Sequence, residues 1–136
     1  PHFAACRTDN VPPQNIPQGV SVLKFESPLH FANVGLFSDR ISDLIASVKD
    51  EALLTDKGII VDCSAMSFVD SMGLEALKTL YNDAKKINIP LLYCGLNDSV
   101  LNVIENDEIL RTSIPQSILR PSLNDGILHL STLQNI

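Results

Sequence analysis

A carboxylate, a hydroxyl and a glycine stand together at Asp70-Ser71-Met72-Gly73. The first backbone N–H groups of a helix lack internal partners and carry partial positive charge. If a helix begins here, Asp70 or Ser71 caps it. A phosphate carried by Ser71, or a bound anion, is favoured at the same amides. Phosphorylation or anion contact is therefore one reading of Ser71, and a capping hydroxyl beside a capping carboxylate is the other; local chemistry favours the cap. Gly73 suits close packing of the helix against a neighbour more than it suits catalysis. A nucleophilic Ser71 has little support, because the stretch is not Gly-x-Ser-x-Gly and no nearby residue is nominated as its base.

The other reactive side chains are dispersed. Asp62, Asp70 and Glu75 read as a strand end, a cap and a first-turn acid placed toward the helix dipole, not as an acid–base pair. His2, His30 and His129 lack ligand spacing. Cys6, Cys63 and Cys94 are odd in number and include no Cys-x-x-Cys pair, so reduced thiols and no metal are expected. Neither Gly-x-Gly-x-x-Gly nor Gly-x-x-x-x-Gly-Lys occurs. The formal net charge of −6 argues against nucleic acid and against docking on an anionic membrane leaflet. No apolar run approaches the ~20 residues that span a bilayer.

The elements that must position the loop follow from periodicity. Gly58 to Val61 is a short branched apolar run, the pattern of a buried parallel strand. Leu74, Leu77, Leu80, Tyr81, Ala84 and Ile87 recur at helical spacing, so the loop hands a strand over to a helix. Before it, Pro1 to Gly19 is proline-rich, with an edge strand expected over Phe3–Cys6 and a linker after it. Val20 to Glu26 predicts a strand. Asn33 is the expected cap of a helix running from Val34 or Gly35 to about Ala52, with Phe37, Ile41, Leu44, Ile45, Val48 and Ala52 as its stripe. After it, Leu91–Cys94 predicts a strand and Asn97 caps a third helix ending near Asp107. Leu110–Ser113 reads as loop and Gln116–Leu119 as a last strand. Ser122 caps a final helix holding Leu123, Ile127, Leu128, Leu130 and Leu133. Leu101, Ile104, Ile109 and Leu110 read as core more than as a partner patch. At 136 residues this is one domain, residues 1–136, of α/β class.

Strand, then Asp-Ser-Met-Gly-Leu, then an amphipathic helix, resembles the STAS domain, shared by anti-sigma factor antagonists and by the cytoplasmic tails of SulP anion transporters. A second stretch resembles the transporter type: Ile16-Pro17-Gln18-Gly19 turning into a strand, then Pro28-Leu29-His30-Phe31-Ala32-Asn33 leading into the first helix. The resemblance spans roughly Val11 to Leu130. It implies a STAS-like fold, a mixed, mostly parallel sheet of about four to six strands with about four helices. It further implies a non-catalytic regulatory and assembly domain on the cytoplasmic side of the membrane, cut from a longer transporter of sulfate, bicarbonate or a related anion. Its partners are then the transmembrane domain, a second copy in a dimer, and cytosolic regulatory proteins. The alternative it implies is a free-standing anti-sigma factor antagonist switched by phosphorylation of Ser71. No cofactor is expected, although nucleotide binding has been proposed for STAS domains as a group.

Overall fold

The computed structural model describes residues 6–7, 16–50 and 58–134. Its centre is a five-stranded sheet in chain order: β1 (Cys6–Arg7), β2 (Val20–Phe25), β3 (Gly58–Asp62), β4 (Leu91–Cys94) and β5 (Leu119–Arg120). β1 lies antiparallel to β2, and β2 to β5 are parallel throughout. Parallel neighbours need crossovers, and helices supply them. These are α1 (Val34–Asp50), α2 (Ser71–Lys86), and the pair α3 (Asp98–Asn106) and α4 (Glu108–Ser113); α5 (Leu123–Gln134) follows the last strand.

Strand alternation divides the sheet into two faces. The Tyr93 hydroxyl donates to the Leu77 carbonyl of α2 at 2.7 Å, so Tyr93 marks the face covered by α2. α1 packs on α2, and α2 on α4. α5 lies across the opposite face against β3 and β4. A Cβ built on its Gly126 would lie 2.5 Å from Cys94 Sγ. With helices on both faces, every residue of β3 and β4 is buried, which is why both strands read as unbroken apolar runs. Phe25 and Phe37 meet edge to face, centroids 5.0 Å apart at 76°, and fasten α1 to β2.

Several expectations are corrected. Leu110–Ser113 is not loop but the body of α4: Asp107 closes α3 and caps α4, its Oδ1 accepting the Leu110 N–H at 3.0 Å. An aspartate serving as both stop and start hides the second helix from a periodicity search. Gln116–Ile118 is a 3₁₀ turn, and β5 is only Leu119–Arg120. The Asn33 side chain does not cap α1. It turns backward, its Oδ1 taking the His30 N–H while its amide donates to Ser27 Oγ and the Pro28 carbonyl. Leu128 faces outward from α5. Most of the edge strand expected at Phe3–Cys6, and the Val48 and Ala52 side chains, lie outside the described residues.

Candidate functional site

The Asp-Ser-Met-Gly loop is held by a segment 40 residues earlier in the chain. Leu29 and Val69 form an isolated parallel bridge. The Leu29 N–H donates to the Phe68 carbonyl, and the Asp70 N–H donates to the Leu29 carbonyl, each at 3.0 Å. Asp70 is the N-cap of α2, its Oδ1 accepting the Gly73 N–H at 2.9 Å. Its Oδ2 accepts the Phe31 N–H, also at 2.9 Å. One carboxylate thus caps one helix and ties down the lead-in to another. Gly73 allows this approach, because a Cβ there would stand 2.6 Å from Val69 Cγ1 and 2.8 Å from the Leu29 oxygen.

The Gly73 N–H foremost, then those of Phe31 and Met72 and the nearby His30, hold the Asp70 carboxyl below the usual carboxylate range. A carboxyl whose pKa is depressed in the folded state adds stability above its unfolded value, about 3.9. That stability is lost as pH falls through the folded value. Asp70→Asn is therefore expected to lower the thermal midpoint at neutral pH and to flatten its decline below about pH 4. Parallel melting curves of the two proteins below that pH would count against the bridging role.

Ser71 occupies the first helical position and is exposed. The capping hydroxyl expected there is not used, since Asp70 supplies the cap. Asp70 takes the Gly73 N–H at this helix start.

The three carboxylates have separate partners. Asp62 is buried at the end of β3 and accepts the Ser64 N–H. Glu75 is exposed and pairs with Lys78 at 3.0 Å. Cys63 and Cys94 are free and buried. Burial first, then the neighbouring Asp62 and Asp125, pushes the Cys94 thiol up to about 12, and burial raises Cys63 as well. Both stay protonated and poorly nucleophilic at neutral pH. Among the described residues no cluster of three His, Cys, Asp or Glu side chains is spaced to hold a metal. No helix among them is long and apolar enough to cross a membrane.

What the loop presents outward is apolar. Phe31, Phe68 and Met72 are exposed around it. The half-buried His30 stacks on Phe68, centroids 5.9 Å apart at 18°, and meets Phe31 edge-on. Its Nδ1 accepts the Ala32 N–H. Asn97 caps α3 and donates its amide to the Met66 and Ser67 carbonyls, bracing the loop from the other side. In the sequence, Asn97 and Leu29–Asn33 are separate local features. Nothing in their spacing signals that both grip this loop. A roomier hollow of about 500 Å³, toward the other end of α2, is lined by Lys78, Lys85, Lys86 and Thr112. Lys85 and Lys86 there face the helix's negative end, as a solvated last turn does.

Comparison with known proteins bears on this arrangement. A family model described as the STAS domain matches residues 12–126. A protein of Arabidopsis thaliana named probable sulfate transporter 4.2 is 29% identical over 91 residues, covering 61% of this chain and 13% of that transporter. The murine solute carrier 26 family member A9 anion transporter, solved in its inward-facing state, is 30% identical. It superposes with a TM-score of 0.70 over 84% of this chain and 18% of that one. A putative anti-sigma factor antagonist from Thermotoga maritima shares the fold at 15% identity, with a TM-score of 0.68 over 85% of this chain and 91% of its own.

Proposed function

The chain belongs to the STAS domain family, and from that premise we propose that it is the regulatory and assembly domain of a SulP-type anion transporter, working by contact and not by catalysis. The observation that carries the reading is the interlock of Leu29–Phe31 with Val69–Gly73 through Asp70. It makes a firm platform, and the exposed rings and thioether around it suit a partner surface more than an enclosed reaction site. Support also comes from relatives named as sulfate and anion transporters, of which the chain spans only 13% and 18%. The remainder of such a protein supplies the transmembrane domain. A second copy in a dimer, or cytosolic proteins, are further partners in this reading, which places the domain on the cytoplasmic side. Contact biases transport only if it differs between transport states.

Removing residues 1–136 from the parent reading frame is expected to lower anion uptake or to dissociate the assembled transporter, measured with labelled sulfate and bicarbonate and by cross-linking. Unchanged uptake, surface abundance and assembly would overturn the proposal.

A second reading has its own observation. Ser71 is exposed one residue from the carboxylate that joins the two segments, as a phosphoswitched antagonist requires. A phosphate brings about −1.5 to −2 charges. Beside Asp70 it competes for the Gly73 N–H and repels the carboxylate that holds Phe31. Phosphorylation of Ser71 is thus expected to release the Phe31 amide, seen as loss of its exchange protection. An unchanged Phe31 signal in the phosphorylated protein would remove this reading.

A further inference from the structure

We infer that the face formed by the start of α2 with α3 and α4 receives a basic amphipathic helix. The inference rests on the contact-module reading above and gives that contact its chemistry. Beside Ser71 lies an open hollow of about 250 Å³, with Leu74 and Leu110 in its lining together with Val103, Ile109, Glu75 and Asp107. Sites for small organic ligands run to about 300–1,000 Å³. This one has room for one or two large apolar side chains, the size of a peptide anchor.

The surroundings decide the occupant. Two apolar residues of the lining stay in solvent, Val103 at 49% exposure and Ile109 at 65%, and Met72, next to Ser71 in the chain, is 53% exposed. Val103 and Ile109 belong to consecutive helices whose interior faces are already satisfied by Val100, Ile104 and Leu110. The charge beside them has one dominant sign. The charged side chains in the hollow's lining are two carboxylates, Glu75 and Asp107, with no base among them. Glu75 is paired with Lys78. An apolar strip edged with acid fits a helix carrying apolar anchors on one side and Lys or Arg beside them. A second copy of the same face would set acid against acid, and an anionic lipid surface would be repelled.

The test uses the 136-residue chain with two amphipathic peptides of about 14 residues, long enough to carry a helical stripe. One is built of Leu and Lys, the other of Leu and Glu on the same pattern. Binding is followed by amide chemical shifts. The Leu/Lys peptide is expected to move Met72, Val103 and Ile109, with affinity falling as salt rises. The Leu/Glu peptide is expected to leave them in place. Ile109→Glu, at an exposed position that folding does not need, is expected to weaken binding about tenfold or more. The inference is overturned if neither peptide binds or both bind alike. Shifts on α1 instead, or the same residues moving with protein concentration alone, would also overturn it, the last by assigning the face to self-association. Any of these results alongside transport that still requires residues 1–136 would discard the basic partner and leave the contact-module reading standing.

Discussion

Gly73→Ala is expected to destabilise the protein by about 1–2 kcal/mol, even though alanine is the better helix former. The propensity gain from Gly to Ala is at most ~1 kcal/mol. Overpacking a well-filled site costs about 1–3 kcal/mol. The added methyl would meet Val69 Cγ1 at 2.6 Å and the Leu29 carbonyl oxygen at 2.8 Å. The valine methyl can turn aside. The carbonyl belongs to the backbone that accepts the Asp70 N–H, so α2 must move away from the 29–31 segment. The thermal midpoint is expected to fall by roughly 4–8 °C. Amide signals of Leu29 and Phe31, 44 and 42 positions away in sequence, should move with it. A midpoint that stays level or rises would show that the two segments are not packed through this glycine. Because the same contact orders the loop around Ser71, Gly73→Ala is also expected to impair any partner contact made there.

Gly126→Ala tests the opposite face, where one sulfur decides the sign. Its Cβ would lie 2.5 Å from Cys94 Sγ, but 3.6 Å from Ile60 Cδ1 and 3.7 Å from Leu92 Cδ1, which are ordinary contacts. In the native background the substitution is expected to cost about 1–2 kcal/mol net, the overpacking outweighing the helix gain. With Cys94→Ala already in place the obstacle is gone. The same change is then expected to stabilise α5 by about 1 kcal/mol. The double-mutant cycle should return a coupling of about 2–3 kcal/mol. Additive effects would mean that α5 does not sit on the sheet at Cys94. The thiol itself is unreactive by burial, so alkylation of the native protein should not reproduce the result.

The site was half legible from the sequence. Asp70, Ser71 and Gly73 could be picked out because a strand pattern ending at Asp62 and a helix pattern starting at Leu74 leave one short loop between them. Which of the first two caps the helix could not be chosen, since both side chains reach the same amides. The choice falls to Asp70 because a carboxylate has two acceptor oxygens and can serve Gly73 and Phe31 together, where the fold brings them within reach. The Asn33 side chain was misassigned for a related reason. Local rules weigh it against the helix that follows, whereas its strongest available partners lie in the turn that precedes. Ile109 read as core, but α4 is a separate helix turned by Asp107, and that turn carries Ile109 into solvent.

By itself, the sequence determined the α/β class, the strands at Val20–Phe25, Gly58–Asp62 and Leu91–Cys94 with the helix after each, and the family, because hydrophobic period and turn residues are local properties that chain order preserves. Only the tertiary structure decided that the Pro-Leu-His-Phe segment and the Asp-Ser-Met-Gly loop form one platform, that the carboxylate and not the hydroxyl caps α2, and that a hollow lined by Leu74, Val103, Ile109 and Leu110 with Glu75 and Asp107 opens beside it. Those features depend on distances between residues tens of positions apart, and such distances are set by how the helices pack on the sheet, which no local pattern records.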